Sequence, residues 1–231
     1  MLSTVKKASV FIILASGFFI IGSFSAHAQQ SAPQFLITWH ANTYVPSNYT
    51  GKALPGAYTQ ITASFELLSG GKLLNLTGQT IYWYLNGNFL DNGTGKQTAI
   101  FNAPAATPDT ETLEVQLPNY KGGLLVRDIS IPIVDPEVVI EAPFANGSFS
   151  GNSATLHATP YFFGVTSPLE LTYVWDVNGI TAKNSENPQD LTIQINSGAA
   201  TGANINTTLN VSNPKRIFEI ASANKSLIYA K

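Results

Sequence analysis

Between Tyr58 and Leu68 the chain reads YTQITASFELL, and Ile61, Ala63, Phe65 and Leu67 fall on every second position. The same alternation returns at Thr80–Leu85, with Ile81, Trp83 and Leu85 on one side, and at Glu111–Leu117, with Leu113, Val115 and Leu117. A period of two places one side of each segment in a core and the other in water, the pattern of antiparallel strands. Ser69-Gly70-Gly71 and Asn92-Gly93-Thr94-Gly95 lie between these runs and carry turn chemistry. No stretch shows a convincing helical stripe. Short strands at roughly 8–12 residue spacing predict an all-β sandwich or barrel.

The pattern occurs twice. Tyr82-Trp83-Tyr84-Leu85-Asn86-Gly87 is answered by Val174-Trp175-Asp176-Val177-Asn178-Gly179, 92 residues later at both the tryptophan and the Asn-Gly pair. Upstream, ITASFEL from Ile61 parallels LHATPYF from Leu156, 95 residues on, and downstream Leu113 and Leu117 match Ile205 and Leu209, again 92 apart. A repeat of that length is a whole domain rather than a solenoid unit. Asp128–Val134 reads as the last strand of the first copy and Val138–Glu141 as the first strand of the second. Asp135-Pro136-Glu137 between them is a short joint stiffened by its proline. The division expected is domain 1 at residues 35–134 and domain 2 at residues 135–231.

The N-terminus sets the compartment. Lys6 and Lys7 precede an apolar run from Val10 to Gly22, and Ala26-His27-Ala28 stands before Gln29. A basic start, an apolar core and a small-x-small site make a secretory signal peptide, expected over residues 1–28, with 29–34 a disordered lead-in. The apolar run is shorter than the ~20 residues a spanning helix needs, and no later stretch qualifies, so no membrane span is expected after cleavage. The location expected is therefore periplasmic, cell-surface or extracellular.

Cleavage removes two of the 12 basic residues and none of the 14 acidic ones, leaving a mildly acidic chain with no basic stripe. Nucleic-acid binding, which needs a concentrated positive footprint, is excluded. Only 11% of residues are charged, yet 44% are hydrophobic, enough to build cores without the disulfides that a chain with no cysteine cannot form.

Tyr173-Val174-Trp175-Asp176-Val177-Asn178-Gly179 resembles the strand motif of the immunoglobulin-like domains named after polycystic kidney disease (PKD). In that family a Tyr-x-Trp-Asp strand precedes a Gly-rich turn, where this chain has Asn178-Gly179-Ile180. The resemblance implies two tandem immunoglobulin-like sandwiches, with Trp83 and Trp175 filling their centres. The runs from Val134 to Ile140, Pro160-Tyr161-Phe162-Phe163 and Asn213-Pro214-Lys215 are also similar to those of exported proteins of small-genome bacteria. That likeness covers most of the mature chain and implies no activity.

Catalytic sets are missing from the pattern. His27 leaves with the leader, which keeps only His40 and His157, one in each domain. Gly147-Ser148-Phe149-Ser150-Gly151 has the wrong serine spacing for a nucleophile elbow and reads as a loop. Gly93-Thr94-Gly95-Lys96-Gln97 fails as a phosphate loop, because Leu90 replaces the first glycine and Gln97 the Ser/Thr, and reads as a hairpin turn. Asp135 and Glu137 are too few for calcium, so neither metal nor other cofactor is expected. Seven N-x-S/T sequons, at Asn48, Asn75, Asn92, Asn146, Asn206, Asn210 and Asn224, are incidental in an exported bacterial chain rich in Asn, Ser and Thr.

Aromatic crowding is the remaining signal. Trp39, His40, Tyr44, Tyr49 and Tyr58 gather after the first strand of domain 1 and are the candidate contacts for a partner. The competing reading has Trp39 in the core and the tyrosines covering the end of the sandwich. Tyr161-Phe162-Phe163-Gly164 poses the same question in domain 2, with Phe162 inward and Phe163 outward. The function expected is a non-enzymatic structural or interaction module binding a protein or a surface glycan. The alternative is a carbohydrate-binding accessory protein stacking sugars on the domain 1 aromatics.

Overall fold

The computed structural model describes residues 33–105, 110–183 and 186–230. The expected signal peptide and most of the lead-in lie outside the described residues.

In the first sandwich β2 (Gln60–Ser69) has β1 (Gln34–Ala41) along one edge, with β6 (Thr98–Asn102) and the short β3 (Lys72–Leu73) along the other. The facing sheet runs β5 (Asn88–Thr94), β4 (Thr80–Leu85), β7 (Thr110–Tyr120), β8 (Gly123–Pro132). In the second, β11 (Ser153–Tyr161) lies between β14 (Asp190–Gln194) and β9 (Glu137–Glu141). Its facing sheet runs β10 (Ser148–Phe149), β16 (Arg216–Tyr229), β15 (Asn204–Asn213), β12 (Thr172–Val177), β13 (Ile180–Thr181). All pairings are antiparallel except β10 with β16. This strand order, given twice, is the immunoglobulin-like sandwich.

The alternating residues form the cores. Ile61, Ala63, Phe65 and Leu67 of β2 are fully buried and meet Ile81, Trp83, Leu113, Val115 and Leu117 from the other sheet. In the second core Trp175 packs with Leu156, Leu209, Val211 and Phe163. The indole Nε1 of Trp83 donates to the Lys96 carbonyl at 2.9 Å, and that of Trp175 to the Pro188 carbonyl at 3.1 Å. The Asn-Gly pairs turn β4 into β5 and β12 into β13. Asn86 and Asn178 both have φ 50°, and Gly87 and Gly179 have φ 75° and 79°, the left-handed pair that a tight hairpin needs.

Strand contacts refine the repeat. Val115 lies opposite Trp83 and Leu209 opposite Trp175, which places these strands 94 residues apart rather than 92. Phe65 and Gln97 exchange backbone and side-chain bonds, and Ala158 and Gln189 exchange the same two, so the second strands are 93 apart rather than 95. Each correction is a shift of two residues. The alternating pattern cannot register such a slip, because it keeps every residue on its own face.

Two loop readings also change. Gly147–Gly151 contains β10, whose Phe149 is buried. Residues 95–97 join β5 to β6 in the opposite sheet, so this segment crosses between sheets instead of closing a hairpin.

Candidate docking surface at the joint

After β1 the chain does not turn directly into β2. Residues 42–59 make an excursion to the second sandwich, and the expected aromatic contacts sit on it or at its ends. Tyr44 donates its backbone N–H to Phe163 at 2.7 Å and accepts at its carbonyl from Phe162 at 2.8 Å. Its ring packs against the second core. Tyr49 meets the rings of Tyr161 and Phe162 edge-on, at 5.7 and 5.9 Å. Trp39 is half-buried beneath the Lys52 ammonium, 3.4 Å from the ring centre. His40 is exposed on β1 opposite Thr62. Tyr58, 45% exposed, leaves the group and stacks on Phe218 at 6.4 Å and 25°.

Phe162 and Phe163 are both buried, so the outward position expected for Phe163 is not what the fold adopts. Alternation ends there because Phe162 has φ 62°, a left-handed backbone unusual for a bulky residue. That kink sends both rings inward and presents their backbone groups to Tyr44.

The loop is braced from behind by Glu219, which is buried. Its carboxylate accepts from the Gly164 N–H at 2.9 Å, Asn213 Nδ2 at 2.7 Å and Arg216 at 2.9 Å. A Cβ at Gly164 would fall on the Arg216 guanidinium and the Glu219 carboxylate and force them to shift. Lys215 bonds Glu170 at 2.8 Å, and together with the Thr166 and Ser167 donors it holds that carboxyl at about 2.

The brace explains why Phe218 is exposed. Ser212 pairs with Ile220 and Asn213 with Arg216, so residues 217–219 form a bulge with nothing opposite. Glu219 turns inward to its three donors. Ile217 at 76% exposure and Phe218 at 61% turn outward, and Ile220 at 56% follows on the open face of β16. With Tyr58 they make an apolar patch drawn from both sandwiches. Phe218 and its neighbours are not among the contacts expected from the sequence.

Burial beneath the joint raises the Tyr173 hydroxyl far above the ordinary tyrosine value, with Tyr44 nearby adding to the shift, and the same two causes raise Tyr44, there with Tyr161 as neighbour. Tyr173 donates to the Pro168 carbonyl at 3.0 Å. A folded-state value above the unfolded one stabilises the fold fully below about pH 10, and that contribution is lost as pH rises through and beyond it. Urea midpoints are expected to fall between pH 8 and pH 11. Tyr173→Phe should be somewhat less stable at pH 8, by about 1 kcal/mol for the lost hydrogen bond, and should fall less on going to pH 11. An equal fall in both proteins would contradict this.

Among the described residues no group of three or more His, Cys, Asp or Glu side chains could hold a metal, and no helix is long and apolar enough to cross a membrane. Asp135 and Glu137 are both exposed at the joint.

No protein-family model and no curated protein sequence matches the chain. Solved structures do. The three N-terminal domains of the outer capsid protein Hoc of bacteriophage RB49 match at 18% identity and TM-score 0.43, over 86% of this chain and 59% of that one. Fibronectin(III)-like modules of Clostridium thermocellum CbhA match at 14% and 0.28, over 84% and 94%. Bacteroides ovatus SGBP-B, solved with a mixed-linkage heptasaccharide, matches at 15% and 0.24, over 88% and 48%. This chain thus spans 59% of the capsid-protein fragment. These likenesses concern the fold alone, which strand order and register establish directly.

Proposed function

We propose that this chain is an exported, non-enzymatic interaction module that docks a protein partner on the Tyr58–Phe218 patch at the joint. The observation that carries the reading is the exposure of Tyr58, Ile217, Phe218 and Ile220 on a surface held in place by buried bonds. Apolar patches of this kind on a rigid scaffold mark interaction sites, and aromatic anchors dominate their energetics. The basic start, apolar run and Ala26-His27-Ala28 site support export.

A sugar-stacking platform is the second reading. Of Trp39, His40, Tyr44, Tyr49 and Tyr58, the structure commits Tyr44 and Tyr49 to the joint and places Lys52 over Trp39. His40 and Tyr58 remain exposed, but Tyr58 lies beside Phe218, and the aliphatic neighbours Ile217 and Ile220 suit a protein surface better than sugar hydroxyls.

Capture from the exported fraction with wild-type chain and a Tyr58→Ala/Phe218→Ala double variant tests the proposal. The variant is expected to recover a specific protein partner at least about 30-fold less well, the loss of roughly 2 kcal/mol typical of one hot-spot residue. Equal recovery by both proteins would overturn the site. Loss of binding to soluble glycans, with no protein partner captured by either, would favour the sugar platform.

A further inference from the structure

In the first sandwich β1 and β8 are the outermost strands of their sheets, each with one partner. They border an open cleft of about 420 Å³, whose lining includes Phe35, Leu36, Ile37, Glu66, Arg127 and Ile129.

The second sandwich closes the equivalent seam. Ile37 lies opposite Phe65, and Ile140 opposite Ala158, which holds the place of Phe65; Val138 therefore matches Phe35. Val138 and Ile140 are 8% and 6% exposed, and β9 lies against β16. The register of β16 on β15 puts Ala221 and Ala223 where β8 has Leu125 and Arg127. Alanines let β9 and β16 approach. Leucine and arginine hold β1 and β8 apart, so Phe35 and Ile37 remain half-buried at core-facing positions.

Arg127 is exposed on the core-facing side of β8 and has no ion pair among the described residues. On an edge strand an inward charge keeps identical edges from pairing, since a second copy would bring arginine against arginine.

We propose that this seam accepts an extended segment of a partner polypeptide by strand addition. Its apolar side chains enter against Phe35, Ile37 and Ile129, and a carboxylate meets Arg127. The free edges of β1 and β8 supply backbone donors and acceptors along the cleft, and the side-chain pockets select alternating apolar residues. The unpaired guanidinium selects the acid.

The test uses the full chain and two labelled, capped heptapeptides, Thr-Val-Thr-Glu-Thr-Val-Thr, which puts its valines and glutamate on one face of an extended strand, and its counterpart with lysine replacing glutamate, read by fluorescence anisotropy. Wild type is expected to bind the glutamate peptide about tenfold more tightly than the lysine peptide, with the order reversed in Arg127→Glu. Should Arg127→Glu not fold, Arg127→Gln is expected to lose the preference. The Tyr58→Ala/Phe218→Ala variant should bind both peptides as wild type does, which separates this seam from the joint patch. Binding of neither peptide at millimolar concentration, or equal affinity for both in every protein, would overturn the proposal. So would a wild-type dimer abolished by Arg127→Glu, which would make the occupant a second copy.

Discussion

Replacing Trp83 by alanine is expected to cost the first sandwich about 3–5 kcal/mol, the range for deleting a large buried aromatic. The indole is fully buried, with Phe65 edge-on at 6.4 Å and 86°, and its Nε1 satisfies the Lys96 carbonyl. Alanine would leave both a cavity and an orphaned acceptor. Domains of this size carry only about 5–15 kcal/mol of stability, so the variant should sit near the edge of folding. Trp83→Phe keeps most of the apolar contact and loses the hydrogen bond, and should cost less. Urea unfolding followed by circular dichroism measures both, and a Trp83→Ala midpoint within 1 kcal/mol of wild type would contradict the assignment. Trp175→Ala should act in the same way on the second sandwich.

Glu219→Ala is the second substitution with a large expected effect. It removes the acceptor of three bonds at once and leaves Asn213 Nδ2 and the Gly164 N–H without partners. Removing one member of a buried charge pair costs about 3–5 kcal/mol, and the low end applies because the Arg216 side chain is 31% exposed and water screens it. Beyond global stability, amide exchange at Phe162, Phe163 and Gly164 should quicken, because these residues lose the brace that holds them against Tyr44. Glu219→Gln retains an acceptor and should soften both effects. Unchanged exchange in Glu219→Ala would show that the loop does not depend on the brace.

The sequence makes the architecture readable because strands announce themselves locally. The alternation of Ile61, Ala63, Phe65 and Leu67 depends on nothing outside the strand, and neither does the Asn-Gly turn at either copy. The matched tryptophans read as core for a related reason: a residue repeated in both copies most simply serves what the copies share. The Gln97 and Gln189 clamps carried a signal as well, since they stand 92 residues apart, but one amide in a turn is easily taken as solvated.

The joint was only half readable. Crowding of Tyr44, Tyr49 and Tyr58 marks the excursion as special, yet whether those rings face water or another domain is decided by Tyr161, Phe162 and Phe163, more than a hundred residues later. Phe218 was silent in the sequence. Its exposure follows from a bulge that exists because Glu219 turns inward to meet the Gly164 N–H, 55 residues upstream. No local pattern encodes a partner at that distance. The open seam of the first sandwich was equally hidden, because Leu125 and Arg127 differ in effect from Ala221 and Ala223 only once the two strands are placed side by side.

Site-specific photo-crosslinking tests the docking surface most directly. A photoreactive phenylalanine analogue at position 218 is compared with the same analogue at position 180, where Ile180 is 74% exposed on β13. Each protein is exposed to the exported fraction and irradiated. A partner bound at the joint predicts one discrete adduct from position 218, absent from position 180 and suppressed by Tyr58→Ala. Adducts of equal yield from both positions, or an adduct from position 180 alone, would contradict it.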